Sequence, residues 1–285
     1  MAHAPGPIKI GISLGTLSPR AWKEATRAAD ELGYESVWMP EHLVLPVAMS
    51  GSPMHGSDHP PIPADIPVFD PFVYLGMLAG CTERIRFGTQ VYNIGLRHPF
   101  TTARAVTTLD VVSEGRVEFG IGASWLEEEW DAVGLDFATR GTRVDEAITV
   151  CRSLWTDQVV EFHGRHFDFG PVMFEPKPVQ PQIPLHVGGD GAAALRRAAE
   201  LGDGWIPMNH SLDRIPDSLA LVRAQREKAG RDPHIELTMG LPVSTKADLD
   251  RYAELGVTRI LVKPWQSSRE AVGGLERFAS EYISP

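Results

Sequence analysis

Short apolar runs alternate with helical periodicity along most of the chain. Residues 8–14 alternate as a buried strand, and Ser18 and Pro19 predict the start of a helix that runs through Leu32. Residues 36–39 are again strand-like, so the chain opens as a β-α-β unit. Such a unit predicts two parallel strands joined by a right-handed crossover.

The same alternation continues through the rest of the sequence. Predicted strands begin near residues 8, 36, 85, 117, 185, 204, 235 and 258, and helical patterns separate them. Eight β/α repeats predict an α/β fold, a (β/α)8 TIM barrel in which all barrel strands are parallel. We expect a single domain over residues 1–285, because barrels of this length routinely form one unit.

Two stretches interrupt this rhythm. Residues 40–70, after the second predicted strand, are rich in proline, glycine, serine and histidine, and a loop of this length is usually a lid or a binding loop. After the fourth predicted strand, residues 159–169 alternate around a turn at His163 and Gly164, which predicts a hairpin outside the barrel. We therefore expect insertions after strands two and four.

Charge and composition restrict the partners. The formal net charge is -10 and no block of basic residues occurs, so nucleic acid and anionic membrane are poor candidates. Cys81 and Cys151 lie in apolar helical patterns without the spacing of a zinc site. The sequence shows no signal-peptide pattern and no long apolar run. We expect a cytoplasmic protein that acts on a small molecule.

The carboxyl ends of barrel strands meet at one face, where barrels of this class carry their chemistry. His42 follows strand two and is the leading candidate acid or base, with a hydrogen bond to the following loop as the alternative. Glu41 is a secondary candidate, as the carboxylate that orients His42 or as a second acid, because adjacent residues on extended backbone point to opposite sides. His55, Asp58 and His59 suggest metal ligands, but their Gly-Ser-Pro surroundings favour a solvated loop, so no metal is expected.

A glycine-rich segment follows the fifth predicted strand. Gly188, Gly189, Asp190 and Gly191 precede a helix, and exposed amides at a helix N-terminus attract phosphate. The carboxylate of Asp190 would repel phosphate unless the side chain turned back to cap the helix. A Gly-Gly turn with an Asp N-cap is the alternative interpretation.

Strand four ends at Gly122, where the missing side chain allows a backbone or a flat ligand to approach closely. Trp38, Trp125 and Trp205 lie near strand ends. These three indoles are candidates for the walls of a flat ring site, although large aromatic residues near barrel ends are as often part of the packing.

Together, these motifs resemble the luciferase-like monooxygenase superfamily, and within it the branch that uses the deazaflavin coenzyme F420. The segments that carry the resemblance are Pro-Glu-His at 40–42, Gly-Thr-Gln-Val-Tyr-Asn-Ile-Gly-Leu-Arg-His-Pro at 88–99, Glu-Gly-Arg-Val-Glu-Phe-Gly-Ile-Gly-Ala-Ser-Trp-Leu-Glu-Glu-Glu at 114–129, Phe-Glu-Pro-Lys-Pro-Val-Gln at 174–180, His-Val-Gly-Gly at 186–189 and Leu-Gly-Asp-Gly-Trp at 201–205. The resemblance extends from residue 8 to about residue 260 and is more specific for the superfamily than for the branch.

The resemblance implies a barrel that binds a reduced flavin or deazaflavin at its carboxyl-end face. It places a non-proline cis peptide bulge behind the ring, among Val91, Tyr92 and Asn93. It also places the cofactor phosphate beside Gly188 and Gly189.

The resemblance further implies a role for His42 close to the reactive ring, in an oxidoreductase that moves a hydride between F420 and an organic substrate. Sugar-phosphate dehydrogenases of the family carry a glutamate where this chain has Trp125, which favours a more apolar substrate. One alternative is an FMN-dependent monooxygenase that receives reduced flavin from a separate reductase. Another is a barrel that binds the cofactor without chemistry. Family members are commonly dimers, so a homodimer is expected.

Overall fold

A closed barrel of parallel strands forms the centre of the molecule. The computed structural model describes residues 6–50, 52 and 62–283. Its strands are β1 (Lys9–Ser13), β2 (Ser36–Met39), β3 (Arg86–Thr89), β4 (Tyr92–Asn93), β5 (Val117–Gly122), β6 (Val160–His163), β7 (Asp168–Val172), β8 (Leu185–Gly188), β9 (Gly204–Ile206), β10 (Glu236–Gly240) and β11 (Arg259–Val262). The order β3-β2-β1-β11-β10-β9-β8-β5 is closed by pairing of β3 with β5, and short β4 also pairs with β5. The (β/α)8 prediction is confirmed.

Helices surround the barrel. They are α1 (Trp22–Glu31), α2 (Pro71–Ala79), α3 (Pro99–Val112), α4 (Glu127–Ala132), α5 (Arg140–Thr156), α6 (Ala192–Leu201), α7 (Ile215–Lys228), α8 (Lys246–Glu254) and α9 (Ala271–Tyr282). The predicted start of α1 is too early, since the side chain of Ser18 makes no capping bond and Pro19–Ala21 forms a 3-10 turn. Within the described residues, no helix is long and apolar enough to cross a membrane.

Two apolar layers hold these elements together. The larger one lies between strands and helices and includes Phe87, Phe119 and Leu154. The smaller one consists of Trp38, Ile206 and Leu261, with Val91 packed against it. Burial of such side chains stabilises each by about 1.5–3 kcal/mol relative to exposure.

The insertion after β2 contains no helix or strand within its described residues, 40–50, 52 and 62–70. His55, Asp58 and His59 lie outside the described residues. The insertion ends at Asp70, whose carboxylate accepts hydrogen bonds from the amides of Phe72 and Val73 and so caps α2.

The insertion after β5 contains the predicted hairpin. Strands β6 and β7 pair in antiparallel fashion, and their turn is held by Glu146 of α5. The Glu146 carboxylate accepts hydrogen bonds from the amides of Arg165, His166 and Phe167. These bonds satisfy the turn amides and fix the hairpin to the helix layer.

Candidate active site

The carboxyl ends of β2, β4 and β5 come together around Glu129, the third residue of α4. Its Oε2 lies 3.3 Å from His42 Nδ1, 3.4 Å from Asn93 Nδ2 and 3.3 Å from Ser124 Oγ. The Glu129 side chain has no exposed surface, whereas the His42 side chain is 15% exposed. One imidazole therefore lies at the barrel mouth with a buried carboxylate behind it.

The other oxygen of Glu129 binds the backbone of the first insertion. Its Oε1 accepts hydrogen bonds from the amides of Leu43 at 2.6 Å and Val44 at 3.3 Å. The neighbouring Glu128 accepts bonds from the amide and hydroxyl of Ser50, at 2.7 and 2.5 Å. Two consecutive glutamates thus connect α4 to the segment that follows His42.

Backbone strain accompanies this cluster. Ser124 has a φ of 62°, in the left-handed region that residues with a side chain rarely adopt. Its hydroxyl reaches Glu129 and also accepts a hydrogen bond from the amide of Leu126 at 3.2 Å. Such strained residues concentrate at functional sites, where the surrounding structure holds them in place.

Glu41 has different partners from His42. Its carboxylate accepts a hydrogen bond from Arg97 Nη2 at 2.6 Å and one from the Asn93 amide at 2.9 Å. Burial raises the pKa of Glu41, and the charge and hydrogen bond of Arg97 only partly oppose this effect. The carboxylate that contacts His42 is Glu129, so the interpretation of Glu41 as its orienting group is wrong. Glu41 instead links the end of β2 to the end of β4.

The bulge between β3 and β4 lies at the barrel mouth. The non-proline cis peptide bond is Gln90–Val91, at the start of the segment that the resemblance indicated. A Cβ added to Gly122 would meet Val91 Cγ2 at 2.6 Å, and one added to Gly188 would meet Val91 Cγ1 at 2.8 Å. These two glycines make room for the Val91 side chain. The prediction that Gly122 leaves space for a flat ligand is therefore corrected, because Val91 occupies that space.

Tyr92 does not contribute its side chain to the barrel mouth. The ring packs in the layer between barrel and helices, 5.0 Å from the ring of Phe72 and 5.7 Å from that of Phe119. The Arg97 guanidinium lies 4.4 Å from its centre. Burial raises the pKa of Tyr92 to about 12, which leaves the hydroxyl neutral at physiological pH. Only the Tyr92 backbone remains available to a cofactor.

Of the three candidate tryptophans, Trp125 alone is partly exposed. Its ring stands edge-on to His42, with 6.1 Å between centroids. Trp38 and Trp205 are fully buried. Trp38 packs inside the barrel, and the Trp205 indole donates a hydrogen bond to the carbonyl of Gly189 at 2.8 Å. The latter two therefore stabilise the barrel and do not wall a ring site.

The segment after β8 keeps the helix N-terminus available. Asp190 does not cap α6; its carboxylate accepts hydrogen bonds from the amides of Met208 and Asn209, both at 3.0 Å. Gly191 is the N-cap residue of α6, without a side-chain bond, and a Cβ built there would meet nothing within 4 Å. Gly189 has a φ of +115°, which favours glycine. This arrangement fits an anion, since the Asp190 charge is engaged elsewhere.

A second polar cluster occupies the opposite end of the barrel. Glu118 Oε2 lies 2.5 Å from His186 Nε2, and its Oε1 accepts a hydrogen bond from Arg86 Nε at 2.5 Å. Arg259, fully buried, bonds Glu35 at 2.9 Å through two of its nitrogens and lies 2.9 Å from Glu236. These residues are the first or second residues of their strands, or, for Glu35, directly precede one, so they lie away from the barrel mouth.

Burial alone would raise the pKa of Glu118. The hydrogen bond and charge of His186, together with the charges of Arg259 and Arg86, hold it well below the ordinary value. Candidate ligand atoms of Glu118, His186 and Glu236 lie within 4.8 Å of one another. The arginines already supply positive charge to these carboxylates, which disfavours a divalent cation there.

Sequence reasoning missed Glu129 and the cluster at the amino ends of the strands. Glu129 is one of three consecutive glutamates that begin five residues after a strand end, and a helix can turn only some of them inward. Glu118, His186 and Arg259 stand inside segments whose remaining residues are mostly apolar. Charged residues in predicted buried strands are the signal that would have identified this cluster.

Comparison with known proteins agrees with the fold. Residues 4–268 match the family described as luciferase-like monooxygenase. An uncharacterized protein of Mycobacterium tuberculosis (strain ATCC 25618 / H37Rv) is 35% identical over 262 residues, covering 90% of this chain and 92% of that protein. The F420-dependent glucose-6-phosphate dehydrogenase of Nakamurella multipartita is 29% identical over 259 residues, covering 87% and 70%.

A solved monooxygenase from Streptomyces bottropensis has the same architecture. It superposes with a TM-score of 0.78 at 21% identity, covering 97% of this chain and 98% of that chain. The closed barrel agrees with the family match over residues 4–268. This chain belongs to the luciferase-like monooxygenase family.

Proposed function

We propose that the protein is an F420-dependent oxidoreductase that transfers a hydride between the deazaflavin C5 and an organic substrate. The observation that carries the proposal is the partly exposed His42 imidazole at the barrel mouth, held from behind by Glu129. The similarity over most of the chain to a dehydrogenase named for its use of F420 supports the choice of cofactor.

The residues at the mouth fit this cofactor. The uncapped N-terminus of α6 and the open side of Gly191 would hold its phosphate. The cis peptide bond Gln90–Val91 forms the bulge that would support one face of a flat ring. When bound, F420 supplies the carbon that accepts or donates the hydride.

The protein's own task is to hold the reactants and to move a proton. The His42 ring is bonded to Glu129 through Nδ1, and Nε2 has no hydrogen-bond partner among the described residues. A proton must enter or leave the substrate when a hydride moves to or from an oxygen-bearing carbon. His42 Nε2 would exchange that proton.

Trp125 supports a substrate that is less polar than a sugar phosphate. Its indole is partly exposed beside His42 and offers an apolar face. The relative from Nakamurella multipartita is named for glucose 6-phosphate, so the two proteins would share the cofactor and differ in substrate. We therefore propose an apolar alcohol or carbonyl compound as the substrate class.

A cofactor titration tests the proposal. Purified protein is titrated separately with F420, FMN and reduced FMN, and binding is followed by fluorescence quenching. Tight F420 binding with hydride exchange at C5 supports the proposal. Dioxygen-dependent consumption of reduced FMN would replace it with a monooxygenase, and binding without turnover would indicate a cofactor-binding barrel.

A further inference from the structure

We propose that Glu129 is a positioning residue that fixes the tautomer of His42, so that the hydrogen lies on Nδ1 and Nε2 is bare at the barrel mouth. The catalytic consequence rests on the proposed function, whereas the tautomer itself does not. Glu129 and His42 are 87 positions apart in the sequence, and the fold alone brings them together.

The two oxygens of Glu129 have separate tasks. Oε1 accepts two backbone amides, those of Leu43 and Val44, and these donors cannot be rearranged. Oε2 faces His42 Nδ1, Asn93 Nδ2 and Ser124 Oγ. A carboxylate only accepts hydrogen bonds, so the bond to Nδ1 requires a hydrogen on that nitrogen. In a neutral imidazole, Nε2 is then the free acceptor.

This division of tasks makes Glu129→Gln an informative substitution. The glutamine has nearly the same shape, and the amides of Leu43 and Val44 require its oxygen at the Oε1 position. Its NH2 group must then occupy the Oε2 position and donate to His42 Nδ1. The Asn93 amide would turn its oxygen toward the new NH2 group, and the Ser124 hydroxyl would turn its hydrogen away. The hydrogen of His42 would move to Nε2, so the substitution inverts the tautomer without changing the shape of the side chain.

The test is nitrogen NMR of protein labelled with 15N-histidine, without cofactor, at a pH where His42 is neutral. In the wild type we expect the protonated-nitrogen shift at Nδ1 and the bare-nitrogen shift at Nε2. In Glu129→Gln we expect these two shifts to exchange. Glu127→Gln is the matched control, because it makes the same charge change on an exposed residue of the same helix and should leave the wild-type pattern.

A wild-type spectrum with the hydrogen on Nε2 would overturn the proposal without any variant. An unchanged tautomer in a folded Glu129→Gln protein would overturn it as well. If F420 is the cofactor, Glu129→Gln should lower kcat about 10²-fold and leave the Kd for F420 within about twofold. An inverted tautomer with unchanged kcat would refute the positioning role. Absence of F420 turnover in the wild type would refute the proposed function alone.

Discussion

Two histidine-carboxylate pairs lie at opposite ends of the same barrel. At the carboxyl ends of the strands, His42 meets Glu129 at 3.3 Å and keeps part of its ring exposed. At the amino ends, His186 meets Glu118 at 2.5 Å and has almost no exposed surface. Both carboxylates are buried, so burial of the acid does not separate the two pairs.

The difference lies in what surrounds each pair. Glu118 is bonded by Arg86 and approached by Arg259, and these charges make it part of a closed ion network. Glu129 is surrounded by backbone amides, an amide side chain and a hydroxyl, with no arginine or lysine bonded to it among the described residues. The neutral donors around Glu129 hold its position without fixing its charge, whereas the arginines around Glu118 fix both its position and its charge. The surroundings of Glu129 therefore suit a site of proton transfer, and those of Glu118 suit a stabilising role.

Replacing each histidine with alanine tests this difference most strongly. His42→Ala should lower turnover about 10²–10⁴-fold, because the proton carrier is lost, with little change in the free energy of unfolding. His186→Ala should destabilise the fold by about 2–5 kcal/mol, because it leaves a cavity and removes a buried hydrogen bond to Glu118. Steady-state kinetics and urea unfolding of both variants provide the measurements.

The comparison fails if these two effects are reversed. Retained F420 turnover in His42→Ala would remove His42 from the chemistry. Wild-type stability in His186→Ala would show that the network at the strand amino ends does not depend on the imidazole.

Arg259→Met should produce a loss of stability comparable with that of His186→Ala. It removes the guanidinium that contacts Glu35, Glu118 and Glu236 and leaves Arg86 and Lys9 as the remaining arginine and lysine of the network. Breaking a buried pair from one side typically costs about 3–5 kcal/mol. The matched control is Arg27→Met, since Arg27 is exposed and lies 4.0 Å from Glu31. That change should cost about 0–1 kcal/mol, and equal losses in the two variants would contradict a special role for the network.

The pH dependence of stability should separate the two ends more finely. The lowered pKa of Glu118 gives stability that is fully present above the ordinary value of 4.5 and is lost as pH falls through the folded-state pKa. The free energy of unfolding that Glu118→Gln loses relative to the wild type should therefore become smaller as pH falls below 4.5. The slope cannot exceed about 1.4 kcal/mol per pH unit.

Glu41 should show the opposite trend. Its pKa is raised by burial, so its contribution is fully present below the ordinary pKa and is lost as pH rises toward the folded-state value. The stability of Glu41→Gln relative to the wild type should thus improve as pH rises through this window. Urea unfolding of both variants from pH 3 to 7 measures the two trends, and parallel curves would refute the assignment.

The sequence predicts the barrel well because each strand is a short apolar run between helical patterns. Strands β5 and β9 begin at residues 117 and 204, where the pattern predicts them. The start of α1 was misplaced because a Ser-Pro pair is equally compatible with a 3-10 turn, and no local signal separates the two.

The candidate site was predicted only in part. His42 and Trp125 could be located because residues at strand ends share one face of a barrel. The partner of His42 could not be found in this way, since Glu129 lies on a helix whose rotation depends on packing. The N-cap role considered for Asp190 is wrong, because the amides that bind its carboxylate, those of Met208 and Asn209, follow a different strand.

The pairing of β1 with β11 has a consequence for how the protein is made. Glu35, Glu118 and Glu236 all leave the ribosome before Arg259. Until that residue arrives, only Lys9 and Arg86 of the network's arginines and lysines can offset the three carboxylates, and β1 lacks one neighbour. The barrel therefore cannot close, and the ion network cannot be completed, until nearly the whole barrel has emerged. We expect the nascent chain to expose apolar surface to chaperones up to that point.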